Sequence, residues 1–419
     1  MTEAHPPLHH RPRRMSGRDP GEPHRASTPL ELLFDLTFVV AFSQAGSQAA
    51  HLLELGHWAP AIGAFSFAVF AIAWAWINYS WLASAYDNDD VWFRLATMLA
   101  MVGVLVLALG IPPLFASIDA GVHVDNGLVV AGYVIMRTAT IALWLRVAHD
   151  DPAHRATALT YAVVYGAAQV GWVALAIVNL PFAPTLAFAV ALMLVELIGT
   201  VAAERRGATP WHPHHIAERY GLLVIITLGE IVLGTILAIS AVVEEQGWSL
   251  DAILVAFGGT LLVFGLWWVY FMMPSGEVLA RRHRDGFTWS AFAWGYGHLV
   301  IFGSIAATGA GLHVAANSIE GLAHIGATAA LLTVAVPVAV FIGALLALQS
   351  LLLRRFDPFQ VLLSALAILV LGAAAVAVAA GLSLAEGIAI TACAPVVVVI
   401  GFESVGHRRQ ARALARALA

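Results

Sequence analysis

The sequence predicts an all-α protein that crosses a membrane about twelve times. Three observations carry this. The chain of 419 residues is 60% hydrophobic and only 11% charged, with a mean hydropathy of +0.83, whereas soluble domains carry about 25% charged residues. Its apolar residues gather into long runs, each near the ~20 residues that cross ~30 Å of hydrocarbon as a helix. The arginines fall in every second connection between those runs. A membrane β-barrel is excluded, because the runs far exceed ~10-residue strands and do not alternate in polarity.

Taken in order, residues 1–29 are rich in His, Pro and Arg and lack the apolar core of a signal peptide. They read as a disordered cytoplasmic tail, in which His5, His9, His10 and His24 are at most weak metal binders. Spans are expected at 30–51, 58–83, 92–116, 127–149, 157–179, 183–203, 217–242, 250–273, 288–311, 323–350, 358–380 and 383–405. Residues 204–216 form a cytoplasmic loop between a first six-helix half (30–203) and a second (217–405), and 406–419 a basic tail.

All 21 basic residues are arginine. The N-terminal tail holds Arg11, Arg13, Arg14, Arg18 and Arg25. The even-numbered connections are marked by Arg94, by Arg146 and Arg155, by Arg205 and Arg206, by Arg281, Arg282 and Arg284, and by Arg354 and Arg355. The C-terminal tail holds Arg408, Arg409, Arg412 and Arg416. The odd-numbered connections hold none. Positive loops stay on the cytoplasmic side, so both termini are expected there, and one missed span would invert the pattern downstream. The absence of lysine, with abundant Ala, Gly and Val, points to a GC-rich bacterial genome and hence the bacterial inner membrane.

The two halves share features. Each opens on acid, Glu31 and Asp35 in one and Glu218 in the other. The second helix of each carries aromatics near its cytoplasmic end: Trp74, Trp76, Tyr79 and Trp81 against Trp267, Trp268, Tyr270 and Phe271. An Asp-aromatic start precedes each third helix, at Asp90-Val91-Trp92-Phe93 and at Asp285-Gly286-Phe287. Six is even, so such repeats share one orientation.

Charge inside the apolar runs marks the candidate site. Glu31 and Asp35, four apart, share a helical face, and Thr28-Pro29 suits an N-cap with proline at the first helical position. Glu31 reads as a complement to the helix N-terminal dipole. Asp35, deeper at roughly 7 Å inside the apolar run, reads as buried and paired. Arg137 lies in the middle of span 4, Glu196 deep in span 6 and Glu230 mid-span in 7. Arginine does not readily lose its proton, so Arg137 requires a counter-charge, expected from Glu196 or Glu230. Asp35 is expected to pair with Arg94 or Arg219. Asp35, Glu196 and Glu230 outnumber the one deep arginine, and an unpaired acid there holds a proton or a cation. Asp35, Arg137, Glu196 and Glu230 are therefore the candidate polar pathway, lined by spans 1 and 7. Arg219 and Glu230 share a face with His215 and Ile226, while Gly221, Gly229 and Gly234 read as close helix packing.

Other signals are weaker. His298 reads as a core histidine. His212, His214, His215 and Glu218 form a metal-like cluster, but Pro213 interrupts it and a solvated loop is the expectation. The single cysteine, Cys393, rules out an intrachain disulfide and a Cys-based metal site. There is no HExxH or GxSxG, and a Walker motif is impossible without lysine. No cofactor, metal or nucleic-acid partner is expected.

Two stretches together resemble the bacterial low temperature requirement A family. Glu31-Leu-Leu-Phe-Asp35-Leu-Thr-Phe-Val is similar to its first signature, E-L-F-F-D-L-V-F-V, with Leu33 and Thr37 as departures. Glu218-Arg219-Tyr220-Gly221 through Gly229-Glu230 is similar to its second, E-R-F/Y-G-L-F-x-I-I-x-L-G-E, with Leu223 as a departure. The resemblance implies a multi-pass bacterial membrane protein and marks Glu31, Asp35, Glu218, Arg219, Gly221, Gly229 and Glu230 as motif positions. The family is named for growth in the cold, and the resemblance assigns no substrate.

The expectation is a proton- or cation-coupled transporter of a small solute, contacting the lipid bilayer. The alternatives are a cation channel, a lipid-active membrane enzyme, or a non-transporting protein in which the charges only fix helix register. An enzyme is the less favoured class, since its polar groups would gather at one interface.

Overall fold

The computed structural model describes residues 12–19, 22, 25–273, 275–284 and 289–418. Twelve helices among these are long and apolar enough to cross a membrane. Spans 1 to 6 are Pro29–Glu54, Trp58–Tyr86, Val91–Ala120, Gly127–Asp150, Arg155–Val178 and Phe182–Arg206. Spans 7 to 12 are Pro213–Gln246, Leu250–His283, Trp289–Ile319, Ala327–Leu353, Pro358–Ala379 and Leu384–Ala415. The expected tail residues His5, His9, His10, His24 and Arg11, and the Asp285-Gly286-Phe287 start, lie outside the described residues, as does the side chain of Arg416.

Local chemistry sets the helix starts. Thr28 caps span 1 in a reciprocal box. Its hydroxyl accepts from Glu31 N, and the Glu31 carboxylate accepts from Thr28 N at 2.8 Å, with Pro29 in the first turn. Asp90 caps span 3 by accepting from Phe93 N at 2.9 Å, and Ser383 with Glu386 repeats the box at span 12. Span 3 is interrupted: one helix ends at Leu109 and a second runs Ile111–Ala120. Pro112 and Pro113 lie in the first turn of that second helix, where missing N–H groups cost no intrahelical bond.

The outward faces are apolar. Val163, Val170 and Ile177, seven apart on span 5, are 68%, 71% and 76% exposed. Such a stripe is unfavourable in water but matches lipid. The interior is close-packed. A Cβ on Gly103 would lie 2.7 Å from the Gly132 carbonyl oxygen, so only glycine lets spans 3 and 4 approach this closely.

Span 9 is the central helix and the most deeply buried of the twelve. It packs along spans 7 and 10 and touches spans 1 and 2. Spans 1–6 therefore meet spans 7–12 through spans 1 and 2 on one side and 7 and 9 on the other. Matching neighbours occur in both: 1 with 2 and 7 with 8, 3 with 4 and 9 with 10, 4 with 5 and 10 with 11, 5 with 6 and 11 with 12. One pair differs. Span 12 packs closely along span 8, whereas spans 6 and 2 are joined through long side chains, Trp74 and Trp81 reaching Glu196 and Glu204.

Two expectations need correction. Part of the expected tail is held on the body: Arg13 N and Met15 N donate to Asp90 and Asp150, each at 3.0 Å, Arg18 N donates to Ala85 O, and Met15 is fully buried. Span 9, expected to end at 311, continues to Ile319. Its polar residue Asn317 donates to Glu54 at 2.7 Å instead of facing water, and the chain turns only at Gly321, which has φ of 71°.

Candidate functional site

The two acidic motifs meet in one buried cluster between spans 1 and 7. Glu31 and Asp35 project from one face of span 1, and Arg219 reaches both from the second turn of span 7. Its Nη1 donates to Glu31 Oε1 at 2.8 Å, while Nε and Nη2 donate to the two Asp35 oxygens at 3.1 and 2.5 Å. Trp76 of span 2 donates its indole N–H to Asp35 at 2.7 Å, and its ring centroid lies 5.6 Å from the guanidinium carbon. His215 Nε2 lies 3.2 Å from Glu31 Oε2. A carboxylate only accepts, so Nε2 carries a hydrogen there; Nδ1 is buried without a partner. Glu31, Asp35, His215 and Arg219 are all fully buried.

This cluster decides several expectations. Asp35 pairs with Arg219, while Arg94 pairs with Asp89. Glu31 does more than complement a helix dipole, since it also binds a cation of the other half. His215 lies in no solvated loop. Pro213 opens span 7 instead of breaking it, His212 caps the helix by accepting from His215 N, and His215 turns inward. Glu218 is exposed and accepts from Ser27 N at 3.2 Å. Gly221 packs beneath Phe271, and a Cβ on Gly229 would meet nothing within 4 Å.

Arg137 pairs with Glu196 inside the first half. Trp74 and Trp172 donate to the same carboxylate at 2.6 and 3.0 Å, and the guanidinium lies 3.9 Å from the Tyr165 ring centroid. The charges are matched, and cation–π contact adds to the pair. Asp35, Arg137, Glu196 and Glu230 thus share no hydrogen bond with one another beyond the Arg137–Glu196 pair. The single polar centre expected of them divides into three.

Glu230 is the third. It lies eleven residues beyond Arg219, roughly 16 Å along span 7, and is 8% exposed. Its Oε1 has no hydrogen-bond partner, and its polar neighbour is Ser43 of span 1. Span 9 presses against the backbone of this turn: a Cβ on Gly309 would lie 2.7 Å from the Glu230 carbonyl. His298, also on span 9, is a satisfied core histidine. Nδ1 faces the Trp294 carbonyl at 2.8 Å and so carries the hydrogen, leaving Nε2 to accept from the Tyr270 hydroxyl at 3.0 Å.

Among the buried acids that escaped the sequence reading are Glu204 and Asp87. Glu204, at the end of span 6, accepts from Trp81 Nε1, Tyr161 Oη, Thr209 Oγ1 and Thr209 N at 2.7 to 2.9 Å. Its position beside Arg205 and Arg206 made it read as part of a charged loop. Asp87 lies between spans 2 and 3 with one oxygen bonded to Asp89 N and the other unpartnered. Burial, then the charge of Glu31, pushes its pKa up to about 6. Nearby Arg25 is brought down to about 10, chiefly by burial. At Asp90 burial acts upward, but Arg146 and the Arg13 and Phe93 N–H groups outweigh it and bring the pKa down to about 2.

Comparison with known proteins agrees with the motif reading. A protein of Rhizobium meliloti (strain 1021), described as uncharacterised, is 29% identical over 307 residues, covering 68% of each chain. Residues 26–400 match the family described as bacterial low temperature requirement A protein (LtrA). That match takes in all twelve spans up to the last turns of span 12 and both acidic motifs, so the chain belongs to the bacterial low temperature requirement A family.

Proposed function

We propose that the chain is a proton- or cation-coupled transporter of a small solute in the bacterial inner membrane, with Glu230 as its coupling group. One observation carries the proposal. Asp35, Glu196 and Glu204 are matched by an arginine or by several N–H and O–H donors, whereas Glu230 has a buried oxygen with no partner, a condition shared by Asp87, which lies in the connection between spans 2 and 3 and not within a span. Intramembrane acids of that kind mark ion pathways and proton relays. Glu230 also lies where span 7 meets spans 1 and 9 of the central contact, the place where two six-helix halves would rock against each other. In this reading Asp35, Arg137 and Glu196 are fixed charges beside the path. The recurring helix neighbours support the two-half arrangement, and the arginine-bearing face, which carries both termini, is cytoplasmic.

The test is flux in proteoliposomes, scanned over ions and small solutes at two pH values. Native protein is expected to show solute flux that depends on the proton or cation gradient. Glu230→Gln is expected to insert and fold normally yet abolish the coupled flux. Full flux in that variant would sink the carboxylate mechanism.

A further inference from the structure

The C-terminal helix builds a basic pocket that neither the deep acids nor the family motifs use. Span 10 ends at Leu353 and span 11 begins at Pro358 after a cap in which Asp357 accepts from Phe359 N at 3.0 Å. The helix His407–Leu418, which continues span 12 through the π-helical turn Phe402–Gly406, lies against this corner. Arg409 forks onto Asp357 through Nε and Nη2 at 2.7 to 3.2 Å, and Gln410 donates to the Met272 carbonyl at 3.2 Å. Between them lies a cavity of about 140 Å³ lined by Arg355, Asp357, Gln360, Arg409, Gln410 and Arg412.

Three arginines there face one aspartate, which Arg409 already occupies. The Arg355 and Arg412 side chains make no ion pair or hydrogen bond among the described residues. Two positive charges therefore converge on a cavity whose one carboxylate, Asp357, is already forked by Arg409. Beside it Phe356 is 67% exposed. It sits between the ends of two spans, at the margin of the hydrocarbon where aromatic rings settle. Arginine's planar fork suits phosphate oxygens, and basic pockets at the ends of spans suit phosphate-bearing headgroups.

We propose that this pocket binds the phosphodiester headgroup of an anionic phospholipid, held by Arg355 and Arg412, with Phe356 against its acyl chains. The site is independent of the transport reading, since none of its residues belongs to the deep clusters.

Native mass spectrometry of the detergent-purified protein, titrated with phosphatidylglycerol and with phosphatidylcholine, tests it. Native protein is expected to bind phosphatidylglycerol more tightly. At about 1 kcal/mol per arginine, each loss weakens binding about five-fold. Arg412→Gln should thus weaken phosphatidylglycerol about five-fold and Arg355→Gln/Arg412→Gln about 25-fold, with phosphatidylcholine unchanged. Both side chains are exposed, so the variants should keep the native thermal midpoint in lipid-free detergent. Equal binding of the two lipids, or unchanged phosphatidylglycerol binding in both variants, overturns the proposal. Displacement of the lipid by excess inorganic phosphate also overturns it, by assigning the pocket to the free anion.

Discussion

Span 7 carries two buried ionic regions eleven residues apart, and they are built on opposite principles. Near its start, Arg219 is surrounded by the carboxylates of Glu31 and Asp35, the Trp76 ring and His215, and nearly every donor and acceptor has a partner. At its middle, Glu230 faces Ser43 and the bare backbone of Gly309, with one oxygen unmatched. Both belong to the same family motif. The motif therefore joins two environments in one helix: an ionic clamp between spans 1 and 7, and a lone acid placed where span 7 meets spans 1 and 9.

Breaking the clamp should have the largest effect on stability. Arg219→Leu strands two buried carboxylates, a loss of about 3–5 kcal/mol for a broken buried pair. The expected result is a large drop in thermal midpoint and in purified yield. Glu230→Gln, by contrast, removes no ion pair and should leave the midpoint near native; an equal fall in both would erase the distinction. Next is the contact beside the lone acid. Gly309→Val drives a side chain into the Glu230 backbone and should cost about 1–3 kcal/mol, read as a lowered midpoint, with Gly309→Ala intermediate. If Gly309→Val is neutral, spans 7 and 9 are not tightly packed at that turn.

The most gradual effect concerns pH. Asp87, at the edge of the clamp, has its pKa raised from 3.8 to about 6. The folded state then holds a proton that the unfolded state has released. Its contribution to stability is complete below pH 3.8 and is lost as pH rises through about 6, at no more than about 1.4 kcal/mol per pH unit. Asp87→Asn should flatten the midpoint against pH over that window, measured beside native protein. An unchanged slope would remove Asp87 from the account.

The spans were legible because length, apolarity and arginine placement are properties of each stretch alone. Even so, the break at Gly110 was hidden inside one apolar run, and the extra turns of span 9 were hidden by Asn317 and Glu320, which read as loop. The partners of the acids were only half legible. Asp35 had two candidate arginines, and choosing Arg219 depends on packing between residues 184 apart. The same holds for Glu31 and His215. Glu204 was missed because its partners are neutral Trp, Tyr and Thr donors, which leave no charge pattern in a sequence. Glu230 stood out for the opposite reason: it is a charge that packing does not answer.

The clamp also has a schedule. Glu31 and Asp35 are made with the first helix, but their arginine is encoded 184 residues later than Asp35. At about 5–20 residues per second, the ribosome takes roughly 10–40 s to deliver it. For that interval the first helix carries two acids with no basic partner from span 7, so its final seating waits on the arrival of the seventh. The clamp therefore closes late in synthesis, and a chain truncated before Arg219 leaves both acids without it.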